Sequence, residues 1–143
     1  MRFALSVRHS TNTITPPGRE RDCARWAAAL LQDWGFRVET HEFADTRTSI
    51  VARAGGNSAR DPLCFTGHLD VVALGTRAWS KDPFAGETDG DKLFGRGSSD
   101  MKAGIAAILA AALVVGALHG GPALSILGVM LAVYLVVGSF VEI

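Results

Sequence analysis

Charge is missing from one end of this 143-residue chain. Between Ala103 and Val141 there is no Asp, Glu, Lys or Arg, so residues 1–102 carry all but one of the charged side chains. That segregation excludes an evenly charged globular domain. It leaves either a partly membrane-embedded chain or a globular domain that is not complete. Net charge is also lacking: 14 basic residues balance 14 acidic ones. A balanced chain has no electrostatic footprint for nucleic acid and no long-range steering of charged partners. Cysteine is scarce, with Cys23 and Cys64 far apart in unrelated patterns. This excludes a disulfide framework and makes a reducing, cytoplasmic compartment the expectation. Met1–Ser10 has no long apolar core and does not read as a secretory signal. There is no internal repeat and no low-complexity tract.

What is present is an ordered series of short elements. Thr15-Pro16-Pro17-Gly18 marks a turn into a helix, with proline suited to the first turn. Cys23, Trp26, Ala27, Leu30, Leu31 and Trp34 recur at three- and four-residue steps, which predicts one apolar helix face, and Gly35 is placed to end that helix. Phe36–Phe43 alternates like a strand, and Ser49–Ala54 reads as a second. Leu63–Thr66 has the short apolar run of a buried strand. Residues 67–100 are mostly loop, and a loop of that length inside a domain is usually functional. Within it, Asp89-Gly90 before Lys92-Leu93 predicts a small hairpin. Met101–Leu118 reads as a helix buried on most sides, stopped by His119-Gly120-Gly121-Pro122, with Ala123–Leu127 as a further strand. The order predicts an α/β domain with a mixed sheet.

Two segments carry chemistry. In Gly67-His68-Leu69-Asp70-Val71-Val72, a strand end presents a histidine and, two residues on, a carboxylate. In extended backbone both point to one face, so His68 can ligate a metal while Asp70 takes the other ring N–H. The bland alternative is an ordinary His and Asp on a loop. In Gly95-Arg96-Gly97-Ser98-Ser99-Asp100-Met101-Lys102, two glycines allow a tight path and Asp100 stands at a helix entrance, either as a ligand or merely as an N-cap. His9 and His41 read as surface residues, and His119 as a cation at a helix end. Trp79 reads as packing, Lys102 as structural or solvent-facing, and Gly97 and Gly104 as backbone requirements.

Taken together with Trp79, Asp82-Pro83-Phe84, Gly86, Leu93-Phe94 and Gly104, these segments resemble the metallopeptidase and deacylase family of acetylornithine deacetylase, succinyl-diaminopimelate desuccinylase, aminoacylase and glutamate carboxypeptidase. Pro16-Pro17-Gly18-Arg19-Glu20 and Gly35-Phe36 also look like that family's N-terminal region, so the resemblance covers roughly residues 12–127. It implies a partial zinc-aminopeptidase-like, three-layer α/β domain. It implies two divalent metal ions, usually zinc and sometimes cobalt, and a small N-acyl amino acid or peptide as substrate. It implies His68 as a ligand of one metal, Asp100 as the bridging carboxylate, and Asp70 as the acid that orients the histidine. The intact family dimerises through an inserted domain, of which this chain shows no counterpart.

The resemblance also implies ligands that are not found here. The family has a Glu-Glu pair after the bridging Asp, then a further acid and a distant His. In this chain Glu142 is the one acid after Asp100, His119 the one later His, and no Glu-Glu dipeptide occurs. Two segments are therefore expected: residues 1–127 as the N-terminal part of the catalytic domain, and residues 128–143 as an apolar tail off the family pattern. A frameshift, truncation or sequencing error explains such a tail, and the chain alone is then inactive. A second reading takes Ala123–Val141 as a membrane span, since 19 uncharged residues are long enough. A third takes the chain as a non-catalytic remnant with exposed apolar surface.

Overall fold

A computed structural model describes residues 12–55 and 63–119. The expected strand at Ala123–Leu127, the apolar tail, the proposed span and His9 lie outside the described residues.

Pro16 and Pro17 sit in a turn closed by the Gly18 N–H donating to the Ile14 carbonyl at 2.9 Å, with Gly18 at φ +85°. A left-handed residue cannot continue into a helix. The first helix, α1 (Arg21–Asp33), therefore starts beyond the prolines rather than on them. Its buried residues are Cys23, Ala24, Ala27, Ala28 and Leu31. The expected face is rotated: Ala24 and Ala28 go inside, while Trp26, Leu30 and Trp34 are half-buried. Small side chains let the backbone of α1 approach its neighbours, and the bulky ones line the edge of that contact. Gly35 ends the helix as expected. At φ +84° its N–H donates to the Gln32 carbonyl, and the Phe36 N–H reaches the Leu31 carbonyl, a pair of bonds that satisfies two of the last helical acceptors.

Strands β1 (Arg37–Ala44) and β2 (Arg47–Arg53) form an antiparallel hairpin with Arg37 opposite Arg53 and His41 opposite Ser49. A second, smaller hairpin pairs β3 (Thr88–Asp89) with β4 (Lys92–Leu93). Its turn carries Gly90 at φ +55°, the freedom that the Asp-Gly pair promised. A parallel bridge joins Ile14 to Val71.

Leu63–Thr66 departs from expectation. It forms no strand, and Leu63 and Phe65 are exposed. The β1–β2 ladder is complete in itself, and no described strand lies beside 63–66 to supply ladder bonds. Apolar composition predicts that a strand will be buried only when a neighbour exists to bury it. The wide turn Ser98–Lys102 leads into α2 (Ala103–His119). Along this helix Leu109 is buried, but most of the described side chains are half-exposed, so it is not enclosed on most sides. By length and composition the segment Ser98–Ala117 would also suit a membrane span, a property that core helices of soluble proteins share. Cys23 is buried, Cys64 is exposed, and the two are not joined in a disulfide. The described elements thus make an α/β arrangement with a small core between α1, the β1–β2 hairpin and α2.

Candidate metal centre

The segment bearing His68 and Asp70 is stitched to the chain's early residues. The Val71 N–H donates to the Thr13 carbonyl at 3.0 Å, and the Thr15 N–H donates to the Val71 carbonyl at 2.9 Å. The fully buried Thr13 hydroxyl donates to the Leu69 carbonyl at 2.8 Å. Val71 is itself buried, so the backbone on which His68 and Asp70 stand is fixed from below. Gly67 matters for the next contact. A Cβ there would come within 2.8 Å of Ile105 and 2.9 Å of Met101, so its absence lets the head of α2 close on the His68 loop.

Asp100 arrives from the other side. Gly97 takes φ +83°, a backbone state that suits glycine, and the Lys102 N–H returns to its carbonyl at 2.9 Å. A Cβ on Gly97 would lie 2.5 Å from Val71 Cγ1, so the two loops meet at backbone distance. The Asp100–Met101 peptide bond is cis. Lys102 is buried beneath the turn, not solvent-facing. Burial lowers its pKa from the usual 10.5, and Cys23 opposes that shift.

The two loops bring the three expected residues together. His68 Nε2 lies 3.1 Å from Asp100 Oδ1, although the residues are 32 apart in sequence. His68 Nδ1 faces Asp70 twice, at 3.0 Å from its backbone carbonyl oxygen and 3.2 Å from Oδ1. The sequence pointed to the carboxylate; the backbone carbonyl shares the task. Burial works against a charged His68. The hydrogen bonds to the Asp70 carbonyl and the Asp100 carboxylate, with the charges of both acids, outweigh it and raise the pKa above the ordinary 6.5. The Asp100 side chain is 83% exposed and bonds to His68, so it is not spent as a helix cap.

These groups line a cleft of about 230 Å³ together with Val72, Arg96, Ser98 and Ser99. Arg96 fixes the cleft's rim. Its Nη2 donates to the Ala73 carbonyl at 3.1 Å, and its guanidinium lies 5.1 Å from the Trp79 ring centre. Trp79 Nε1–H donates to the Leu74 carbonyl at 3.1 Å, consistent with a packing role. His41 is a surface residue on β1, away from the cleft.

Comparison with known proteins accords with this geometry. Residues 64–128 match the model of peptidase family M20/M25/M40. Those residues include both loops of the cleft. Over these residues the chain is similar to that family, which supports the resemblance its motifs carry. Among curated relatives, it is 45% identical over 98 residues to succinyl-diaminopimelate desuccinylase of Rhodopseudomonas palustris (strain HaA2), covering 65% of this chain and 25% of that protein. The enzyme of the same name from Wolbachia sp. subsp. Brugia malayi (strain TRS) is 40% identical over 104 residues, 71% of this chain and 25% of its own length. That of Gluconobacter oxydans (strain 621H) is 42% identical over 107 residues, 71% of this chain and 27% of its own length. The chain spans about a quarter of the length of the curated relatives it matches.

The donor chemistry suits a divalent ion of the kind family M20 implies. An imidazole nitrogen and a carboxylate oxygen converge on one exposed point, and the imidazole's other nitrogen is anchored. The donor number is short: among the described residues no group of three or more His, Cys, Asp or Glu side chains can hold a metal ion. Arg47 and Thr13 also contact this region, and neither stood out in the sequence; Arg96 lay within the second motif but was assigned no role there. Thr and Arg in unremarkable contexts give no signal until the chain folds.

Proposed function

We propose that His68, Asp70 and Asp100 are this chain's share of a two-metal hydrolase site that cleaves amide bonds in small N-acyl amino acids, succinyl-diaminopimelate being the foremost candidate. The observation that supports it most is the 3.1 Å approach of His68 Nε2 to Asp100 Oδ1 at the mouth of the cleft. The neutral imidazole of His68 and the carboxylate of Asp100 would be the donors that hold a cation there. Asp70 receives the Nδ1–H and so holds His68 in the tautomer that presents Nε2 outward. The exposed Asp100 carboxylate carries two oxygens, which suits it to bridge two cations. When bound, such ions polarise an amide carbonyl and make hydroxide available near neutral pH.

By themselves these 143 residues do not turn over substrate, because they include no Glu-Glu pair to supply the base that activates water. Ligands from outside these 143 residues complete the site, and the intact enzyme works in the cytoplasm on a freely diffusing acylated amino acid. Equilibrium dialysis against Co²⁺ tests the metal reading. The wild type should bind the ion weakly, and His68→Ala and Asp100→Asn should each reduce binding at least tenfold. Equal binding by all three proteins would refute it. Release of succinate from succinyl-diaminopimelate by this chain alone would refute its dependence on further ligands.

A further inference from the structure

Beneath Asp70, on the side away from His68, lies a network that the site as described leaves unused. Arg47, at the start of β2, places Nη2 3.9 Å from Asp70 Oδ2. The same guanidinium is held from behind by Glu20, with Nη2 at 2.9 Å from Oε1 and Nε at 3.4 Å from Oε2. The Glu20 side chain is only 6% exposed, and the Thr15 hydroxyl adds a 3.4 Å contact to its Oε1. Phe43 lies under the guanidinium, 5.2 Å from ring centre to Cζ.

The Pro16-Pro17-Gly18 turn is built around this arginine. A Cβ on Gly18 would meet Arg47 Nε at 2.7 Å and Cδ at 2.9 Å, so only glycine leaves its path open. The turn is also tied to the hairpin that carries Arg47, because the Thr46 hydroxyl donates to the Gly18 carbonyl at 2.7 Å and the Arg21 N–H to the Thr46 carbonyl at 3.0 Å. One buried carboxylate therefore fixes one guanidinium, and that guanidinium faces the oxygen of Asp70 that His68 does not use.

We propose that Arg47 is a positioning residue for Asp70, held in place by Glu20 and the Gly18 turn, and that it acts on the His68 centre through Asp70 alone. The inference rests on reading His68, Asp70 and Asp100 as one site. Charge attraction draws Oδ2 toward β2, which leaves Oδ1 directed at His68 Nδ1. A planar guanidinium can serve Glu20 and Asp70 together; a lysine ammonium at the same place has one point of charge and no fork.

A double-mutant cycle on the full chain tests this, with Arg47→Met and Arg47→Lys made in the wild-type and the Asp70→Asn backgrounds. Two quantities are read: the ¹⁵N resonance of His68 Nδ1 in metal-free protein at one fixed pH, and the dissociation constant for Co²⁺. With Asp70 present, Arg47→Met should move the Nδ1 resonance and weaken Co²⁺ binding about tenfold. Arg47→Lys should fall between, and it carries the test should Arg47→Met not fold. With Asn at position 70 both effects should vanish. Equal changes in the two backgrounds, or no change in the Nδ1 resonance, would overturn the proposal. If the wild type takes up no Co²⁺ while the Nδ1 resonance still depends on Arg47 only through Asp70, the positioning role stands and the metal reading falls.

Discussion

Replacing Gly97 with alanine tests the contact on which the centre depends. Gly97 sits at φ +83°, where a Cβ costs about 1–2 kcal/mol. The added methyl would also lie 2.5 Å from Val71 Cγ1, and Val71 is buried and anchored on both sides to Thr13 and Thr15. Overpacking against a side chain that cannot retreat costs about a further 1–3 kcal/mol. The sum, about 2–5 kcal/mol, is a large part of the stability of a small domain. Urea denaturation followed by tryptophan fluorescence measures it. The two parts separate in the double variant Gly97→Ala/Val71→Ala, because truncating Val71 removes the clash and leaves the backbone cost. The pair should therefore be less destabilised than the two single changes added together, by about 1–3 kcal/mol. A Gly97→Ala variant within 0.5 kcal/mol of wild type, the usual range for an innocuous surface change, would refute the reasoning.

Leu31→Ala should cost about 2–5 kcal/mol in the same assay, because Leu31 is a buried residue of α1; Leu30→Ala, on the half-buried edge, should cost clearly less. Gly35→Ala should destabilise by about 1–2 kcal/mol through its left-handed backbone alone, since nothing lies within 4 Å of the added methyl. For pH, the sign follows from His68, whose pKa is raised in the folded chain. The pairing with Asp70 and Asp100 stabilises the metal-free protein fully below the ordinary 6.5 and is lost as pH rises through the higher folded value. The stability difference between wild type and His68→Gln should therefore shrink across that window, and a difference that grows with pH would contradict the assignment. Trp79→Leu should loosen the rim by removing the face on which Arg96 rests, seen as faster amide exchange at residues 73–75 with little change in α1.

The sequence alone determined those features that depend on local chemistry. Helix α1 was legible from its three- and four-residue apolar step and its terminal glycine, and the small hairpin from Asp89-Gly90. His68, Asp70 and Asp100 were legible as candidates because an imidazole and two acids stand among glycines at family spacing. What stayed hidden depends on partners remote in the chain. The apolar run Leu63–Thr66 looks like a buried strand, yet burial needs a neighbouring strand and composition cannot supply one. The face of α1 turned toward Ala24 and Ala28 because a close neighbour admits small side chains and turns Trp26 and Trp34 to the edge. Arg47 carries no sequence signal at all; it faces Asp70 only because the Gly18 turn, Glu20 and the hairpin meet in space. Local propensity and residue chemistry are written in neighbours along the chain. The 3.1 Å approach of His68 to Asp100 is decided by close packing across 32 residues, at Gly67 and Gly97, where the absence of a side chain is what lets two loops touch.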